Sequence, residues 1–481
     1  MEGKKKYIYY ILVCIVSTVL ILLANNDSVW CDEAYTMLNC RGSFSYMLNN
    51  LKVDSWPPFY LFFSWVYAKL FGCSVFTLKI FSILPIIFLM LYGVKVIHKN
   101  FESTETAILF CLFVSLMPVS IHTALEIRGY SWAMLFVTIC GVEAWLLFKN
   151  PKSKAHLIIF FVTGILAAYT HYFALVSVCY IYFFLLLGIL VVKSKKDILG
   201  KCLLCVLGSI VSYMPWITKF IGATKSVAKG YWISAVSMSD LLDYYQFPFT
   251  SQIDNLGSVK KNTFSEIAII VLAWLVVDTI VDITKEKNEE KRYELFFQIC
   301  CVMIIILTVI SGYILSRIIQ PMFVPRYMKP AMGLLWLFIS FRISKLSKNT
   351  KTFMVAFFLV LFSYGFVAQK DAEKNTGTEA AKQIIQMNFN NGYNTICSDS
   401  DYLNWTEIEY YFPEAKSYKN CSDIDVITEK GSREKIIFLA TKDFSTYRKK
   451  FEEKKYTVEN IGKYNFDNCY YFDLFIIQKN K

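Results

Sequence analysis

Two acidic residues stand side by side early in the chain, in the segment Val29-Trp30-Cys31-Asp32-Glu33-Ala34. A carboxylate can take a proton from a hydroxyl group, so Asp32 and Glu33 are suited to general acid–base catalysis. The pair also has a structural interpretation, because Asp32 could cap a helix that begins near Glu33, where acidic residues are favourable. The pair by itself leaves both interpretations open.

Four later segments carry further polar side chains of the kind found in active sites. They contain Asp54; Glu126, Arg128 and Tyr130; His171; and Arg326, Tyr327 and Lys329. Simpler roles exist for several of them, namely helix capping, a hydrogen bond in a turn and anchoring at the membrane interface. Glu126 and Arg128 are two positions apart, a spacing at which helical side chains do not face each other, so each is expected to have a partner elsewhere.

The elements that must position these residues belong to a membrane protein. Of the 481 residues, 55% are hydrophobic and only 18% are charged, and the mean hydropathy is +0.41. Soluble domains carry about 25% charged residues and keep their apolar runs short. The composition therefore excludes a soluble globular protein.

Apolar segments long enough to cross a bilayer recur from the start of the chain to about residue 369. The predicted spans are 7–24, 74–97, 105–124, 129–148, 156–172, 173–192, 202–221, 265–283, 295–316, 327–341 and 352–369. Segment 57–71 begins with two prolines and is short for a span, so it is predicted to be a juxtamembrane or re-entrant helix. We therefore predict a mainly α, polytopic helical bundle of about eleven spans in residues 1–369, with a long outer loop at 25–73.

The distribution of charge predicts the topology. Residues 370–481 contain 17 Lys+Arg against 18 Asp+Glu, so the net charge of +12 comes from the membrane part. Its basic clusters are 4–6, 95–99, 149–154, 193–201, 285–292 and 342–351. All six fall in the cytoplasm if the N-terminus is cytoplasmic and 57–71 does not span, which is the pattern of cytoplasmic loops rather than of a nucleic-acid partner.

Residues 370–481 have a different character from the rest. Apolar runs at 435–440 and 470–477 have the length of strands, and 445–455 reads as a charged helix. We predict a small α/β domain, which the parity of the spans puts on the extracytoplasmic side. No motif within it indicates a role.

The same parity puts the polar residues singled out above on the extracytoplasmic side. Carboxylates for proton transfer and cations for an anionic group, presented together at one membrane surface, suit transfer from a lipid phosphate. Independent caps and anchors would not need to share one side of the membrane.

The five ordered segments resemble the C-type (GT-C) integral membrane glycosyltransferases, and within them the group related to protein O-mannosyltransferases and lipid A aminoarabinose transferases (families 39 and 83). The resemblance covers about residues 1–345. It implies an inverting transfer of a hexosyl or pentosyl group from a polyprenyl-phosphate sugar to an acceptor outside the cytoplasm. That acceptor would be a cell-envelope glycan, a lipid or a protein.

The resemblance also implies roles for individual residues. Asp32 stands where the family has its catalytic base, with Glu33 beside it. Cations are expected to bind the donor phosphate, and the other polar residues to support the site or bind the acceptor. The predicted phosphate ligands are Arg128, Arg326 and Lys329, and the predicted supporting residues are Asp54, Glu126, Tyr130, His171 and Tyr327.

No cofactor is expected to be required, and no metal site is assigned. If a divalent ion such as magnesium or manganese is bound, Asp32, Glu126 and His171 are its candidate ligands. Relatives often have a histidine where Trp56 stands in this chain. Tryptophan cannot ligate a metal, which makes a metal-dependent mechanism less secure.

Two other classes of function remain as alternatives, a lipid-linked sugar transporter or flippase and an inactive structural relative. Transport is expected to need ionisable residues near the bilayer midplane and an internal repeat. The sequence has no clear repeat, and Glu143, Asp278 and Asp282 lie toward the predicted cytoplasmic ends of their spans. The composition, rich in Lys, Asn, Ile and Tyr, fits a bacterial plasma membrane.

The predicted topology can be tested with reporter fusions at Glu126, at Lys195 and in the C-terminal domain. We expect Glu126 and the C-terminal domain outside and Lys195 inside, because the basic loops stay in the cytoplasm. A cytoplasmic location of Glu126 would contradict the placement of the polar residues on one side.

Overall fold

The computed structural model describes residues 2–54, 56–101, 103–192, 198–228, 233–234, 236–250, 263–417 and 435–480. The basic cluster predicted at 193–201 lies partly outside these residues.

The first part of the chain is almost entirely helical. Its first ten α-helices are α1 (Glu2–Leu23), α2 (Cys31–Arg41), α3 (Phe44–Val53), α4 (Phe59–Phe71), α5 (Val75–Tyr92), α6 (His98–Phe101), α7 (Thr104–Leu116), α8 (Pro118–Leu125), α9 (Tyr130–Lys149) and α10 (Lys154–Ala168). The next seven are α11 (Tyr172–Val191), α12 (Leu199–Ala228), α13 (Met238–Gln246), α14 (Thr263–Lys285), α15 (Glu289–Ile318), α16 (Met332–Lys345) and α17 (Lys348–Lys374). A π-helical turn at Gly93–Ile97 joins α5 to α6, and 3-10 turns lie at Phe247–Phe249 and Pro325–Ala331.

Among the described residues, seven helices are long and apolar enough to cross a membrane, and α7 with α8 would make an eighth if the bent pair is one span. The apolar part of α1, together with α10 and α16, is shorter, yet each of the eleven predicted spans coincides with a helix or with this bent pair. The segment predicted not to span is the 13-residue helix α4. The chain is a multi-pass membrane protein, and the predicted fold class is confirmed.

One predicted span is broken in the structure. The sequence suggests a single helix over 105–124, but α7 and α8 meet at an angle of 59°. Pro118 begins α8, and because proline has no backbone N–H it cannot continue the hydrogen bonding of α7. Gly365 of α17 packs against this corner, where an added Cβ would overlap the Pro118 ring. The break lets α8 carry its C-terminal end toward the polar residues at 126–128.

The outer segment between α1 and α5 folds as three short helices. Helix α4 packs on α2 and buries the side chains Tyr60, Leu61, Ser64 and Ala68. The backbone N–H of Phe59 donates to the carbonyl of Tyr169 at 3.0 Å, which holds the start of α4 against the turn between α10 and α11. This segment therefore forms one wall above the ends of the long helices.

The C-terminal part is a small α/β domain, as the sequence predicts. Its helices are α18 (Thr378–Asn390), α19 (Asp401–Leu403), α20 (Glu409–Tyr411) and α21 (Ser445–Glu453), with a π-helical turn at Asn404–Ile408. Its strands are β1 (Thr395–Ser398), β2 (Lys416–Ser417), β3 (Lys435–Ala440), β4 (Tyr456–Phe466) and β5 (Tyr470–Lys479).

The sheet has the strand order β2-β1-β3-β5-β4. Strand β1 is parallel to β2 and β3, whereas β5 is antiparallel to β3 and β4. Ile385 of α18 packs in the core on one face, and Phe451 of α21 packs in the core on the other. Because both faces are covered, the central strand β3 is a nearly continuous apolar run.

Buried polar contacts fasten this domain to the membrane part. Lys79 of α5 lies 2.9 Å from the Glu373 carboxylate at the end of α17 and donates to Asn26 Oδ1 at 2.8 Å. The Tyr411 hydroxyl accepts from the Val29 backbone N–H at 2.8 Å and donates to the Val29 carbonyl at 3.1 Å. The segment between α1 and α2 is therefore bound by α5 at Asn26 and by the C-terminal domain at Val29.

The Lys79–Glu373 pair gives a stability prediction. Lys79→Met would leave a largely buried carboxylate without its cation, which costs about 3–5 kcal/mol in buried pairs. We expect a lower thermal unfolding midpoint in detergent and faster proteolysis between α17 and the C-terminal domain. Lys382→Met is the matched control, since its pair with Glu379 is largely exposed and such pairs contribute about 0–1 kcal/mol. Equal effects of the two substitutions would contradict the anchoring role.

Candidate active site

Asp32 lies at the centre of a cluster of charged and aromatic side chains. Helix α2 begins at Cys31, so Asp32 is in the first turn and does not cap the helix. Its Oδ2 lies 3.8 Å from a terminal guanidinium nitrogen of Arg128 and 3.6 Å from one of Arg326. Its Oδ1 accepts a hydrogen bond from the Tyr402 hydroxyl at 2.8 Å. The two carboxylate oxygens therefore have different surroundings, cationic on one side and a neutral hydroxyl on the other.

Tryptophan rings support both arginines. The Cζ atom of Arg128 lies 4.6 Å from the centroid of the Trp56 ring, and that of Arg326 lies 5.0 Å from the Trp30 ring. Both arginines are buried, at 8% and 4% exposure. An aromatic face attracts a guanidinium and shields it from water, which is the role Trp56 has here. The two charges converge on Asp32 in a poorly hydrated site.

Glu33 is engaged by the backbone on both of its oxygens. Oε1 accepts from the N–H of Ile127 at 2.7 Å, and Oε2 accepts from the N–H of Trp30 at 3.4 Å. Burial, together with the nearby Asp467 carboxylate, raises the pKa of Glu33 well above its ordinary value. Glu33 therefore joins the start of α2 to the loop 126–129 and fixes the position of Arg128. Its predicted catalytic role stays a prediction.

Glu126 and Arg128 each have a partner elsewhere, as their spacing indicated. Glu126 Oε2 lies 2.6 Å from Lys329 Nζ, and Lys329 is also 3.1 Å from His122 Nδ1. The Lys329 ammonium sits 4.8 Å from the Tyr130 ring centroid and is 1% exposed. The charge of Lys329 is thus compensated by Glu126, next to the pair formed by Arg326 and Asp32. The expectation that Lys329 binds phosphate stays a prediction.

Three aromatic rings surround the imidazole of His171. Its ring is 5.1 Å from Trp56, 5.2 Å from Tyr130 and 5.3 Å from Tyr327. Nδ1 accepts from the N–H of Phe173 at 3.1 Å, so His171 caps α11. Burial and the neighbouring arginines lower the pKa of His171 to about 3. The imidazole is therefore neutral near pH 7.

Asp54 lies close to Arg128 and His171, with which it lines a small cavity. It follows α3, and its Oδ1 accepts from the N–H of Trp56 at 3.1 Å. It does not cap α4, which begins at Phe59. Burial raises the pKa of Asp54, opposed by the charge of Arg128. A cavity of about 30 Å³, large enough for one water molecule, lies between Asp54, Arg128 and His171.

The three residues named as candidate metal ligands do not form a ligand set. Asp32 faces two guanidiniums, Glu126 is paired with Lys329, and His171 uses Nδ1 as a helix cap. Within the part of the chain that the structure describes, no three His, Cys, Asp or Glu side chains are grouped so that they could hold a metal ion. These residues do not fit a bound divalent ion in the described arrangement.

Three buried polar atoms at the site have no hydrogen-bond partner among the described residues. They are the indole nitrogen of Trp30, the hydroxyl of Tyr130 and Oε1 of Glu126. Buried polar groups in folded proteins are almost always paired, so unpaired ones call for an explanation. Hydroxyl or phosphate oxygens of a substrate would accept from the Trp30 and Tyr130 groups, whereas only a hydroxyl would donate to Oε1 of Glu126.

The sequence did not single out Tyr402, Trp30 or His122 as site residues. Trp30 and His122 could have been predicted, because Trp30 adjoins the acidic pair and His122 is one helical turn before Glu126. Tyr402 carried no signal, since it lies 370 positions from its partner Asp32. Tyr327, which was predicted, packs on His171 and stacks on Phe173.

No protein-family model and no curated protein matches the sequence. Among solved structures, apo ArnT from Cupriavidus metallidurans superposes with a TM-score of 0.60 over 97% of this chain and 97% of its own, at 11% identity. ArnT bound to undecaprenyl phosphate gives a TM-score of 0.59 at 11% identity and covers 97% and 98% of the two chains. The oligosaccharyltransferase AglB from Archaeoglobus fulgidus gives 0.49 at 9% identity, over 97% and 74%.

The likeness to ArnT, which is a lipid A aminoarabinose transferase, extends over nearly the whole length of both chains. At this low identity it defines the fold. This chain has the fold of ArnT, and the predicted resemblance is confirmed at the level of the fold.

The buried state of His171 gives a prediction about pH. With a folded pKa of about 3 and an unfolded pKa of about 6.5, the unfolded chain binds the extra proton first as the pH falls. Stability from this residue is present above about pH 6.5 and declines by about 1.4 kcal/mol per unit toward pH 3. His171→Asn keeps a capping side chain but does not titrate.

The measurement compares thermal unfolding of the two proteins in one detergent at about pH 7.5 and about pH 4.5. We expect the wild type to lose about 2–3 kcal/mol more than the variant over this interval. The carboxylates titrate in both proteins, so their contribution cancels in the difference. Parallel pH profiles would mean that His171 is not held neutral by the fold.

Proposed function

We propose that this protein is an inverting glycosyltransferase that moves a sugar from a polyprenyl-phosphate donor to a hydroxyl group of an acceptor outside the cytoplasm. The observation that carries the proposal is the environment of Asp32, with two arginines at one oxygen and a hydroxyl at the other. The fold supports it, because ArnT has the same architecture and has been crystallised with undecaprenyl phosphate.

Asp32 is the proposed general base. Oδ1 already accepts a hydrogen bond from a hydroxyl, so an acceptor hydroxyl there would be oriented for proton transfer. As Asp32 takes the proton, the acceptor oxygen forms a bond to the anomeric carbon. The bond from that carbon to the phosphate oxygen breaks on the opposite face, and its electron pair leaves with the phosphate. One such displacement inverts the anomeric configuration.

Arg128 and Arg326 are proposed to bind the departing phosphate. A guanidinium can bind two phosphate oxygens at once, and preorganised cations stabilise the charge that grows on the leaving group. In the free protein Asp32 compensates both cations. A donor phosphate would compete for them and free Asp32 for the acceptor, which would link base activation to donor binding.

The remaining predicted residues are proposed to hold this arrangement. Glu33 ties α2 to the loop that carries Arg128, and the Glu126–Lys329 pair fixes the turn that carries Arg326. The prenyl chain requires an apolar wall, for which the aromatic face of α4 is proposed. Phe59 contacts Phe63 at 4.6 Å and Phe136 at 5.2 Å between ring centroids, and Phe63 is 43% exposed.

Substitutions at the neighbouring carboxylates Asp32 and Glu33 test which of the two is the base and which only supports the site. Asp32→Asn removes the proton acceptor while keeping size and polarity, so transfer should fall about a thousandfold. Glu33→Gln is the matched control, because the pKa of Glu33 is raised by burial and its oxygens serve the backbone. We expect the control to retain most of its kcat and to lose mainly thermal stability.

The measurement uses the purified full chain and a panel of synthetic undecaprenyl-phosphate sugars, and it follows the release of undecaprenyl phosphate. Superposable circular dichroism spectra would establish that Asp32→Asn is folded. Full activity of Asp32→Asn would contradict the role of the base, and a larger kcat loss in Glu33→Gln would move that role to Glu33.

A further inference from the structure

The C-terminal domain contributes a side chain directly to the site. Tyr402 of α19 donates its hydroxyl hydrogen to Asp32 Oδ1 at 2.8 Å, across 370 positions of sequence. The π-helical turn that follows α19 packs against α2, which brings the domain to the helix that carries Asp32. The opposite oxygen of Asp32 faces the arginines, so Oδ1 is the oxygen open to a new hydroxyl partner.

The turn that presents Tyr402 is fixed, whereas the Tyr402 side chain is not enclosed. Asn404 Nδ2 donates to the Ser398 carbonyl at 2.9 Å, and the Ser398 N–H donates to Asn404 Oδ1 at 2.8 Å. Leu403 is completely buried beside it. Tyr402 itself is 38% exposed, far more than Arg128 at 8% or Arg326 at 4%. Uncovering Oδ1 would require rotation of the Tyr402 side chain, which is partly exposed.

We propose that Tyr402 is a placeholder for the acceptor hydroxyl, and that the acceptor enters between α2 and the C-terminal domain and displaces the phenol from Asp32 Oδ1. The inference rests on the proposed glycosyl transfer and adds the location of the acceptor site. An acceptor alcohol offers the same O–H donor as tyrosine, so the exchange conserves the hydrogen bond to the carboxylate. Water offers it too, but it cannot fill the space of the ring.

The placeholder has a chemical consequence. While no acceptor is bound, the phenol occupies the position from which a water molecule would attack the anomeric carbon. Tyr402 therefore suppresses hydrolysis of the donor and commits the sugar to the acceptor.

The test compares hydrolysis with transfer in the purified full chain, using the undecaprenyl-phosphate sugar that the wild type consumes. Tyr402→Phe keeps the ring and removes the hydroxyl, so water can reach Asp32 Oδ1. We expect acceptor-free release of undecaprenyl phosphate to rise about tenfold, the scale of one hydrogen bond to a charged group. Tyr402→Ala, which also opens the space of the ring, should raise it at least as much.

Tyr410→Phe is the matched control, because Tyr410 lies in α20, which also contacts α2, but packs its ring on Arg41. Its hydrolysis rate should equal that of the wild type. Unchanged or reduced hydrolysis in Tyr402→Phe would overturn the placeholder role. That failure is distinct from failure of the proposed function, which would appear as activity that survives Asp32→Asn.

Discussion

A carboxylate held between two buried guanidinium groups is the interaction on which the rest of the site depends. Taking three charges out of water is costly, and the cost is tolerable only if the charges compensate one another and have fixed partners. Asp32 supplies the negative charge, and Trp30 and Trp56 give the arginines apolar faces to lie on. The three charges can meet only if the fold places α2, the loop after α8 and the turn before α16 next to one another.

Neighbouring contacts join the same segments a second time. Glu33 binds the backbone of the loop that carries Arg128, and Glu126 on that loop binds Lys329 on the turn that carries Arg326. Each link is buried, so removing one partner would leave a polar group without compensation. The positions of the two arginines consequently follow from contacts that need not themselves touch a substrate.

The C-terminal domain is part of this arrangement. Lys79 and Glu373 fix the junction between the bundle and the domain, and Tyr411 holds the chain just before α2. The domain that carried no recognisable motif in the sequence therefore sets the geometry on the open side of Asp32. Its strand β1 supports the short helix α19, which carries Tyr402, through the hydrogen bonds between Ser398 and Asn404.

The sequence by itself determined the membrane character, the helical segments, the α/β domain and the polar residues worth following, because hydropathy and periodicity are properties of neighbouring residues. It could not give the break at Pro118 in place of one span, the pairing of Glu126 with Lys329 or the contact of Tyr402 with Asp32. Those depend on which surfaces pack together across hundreds of residues. A buried charge takes whichever partner the packing brings within reach, and only the tertiary structure decides that partner.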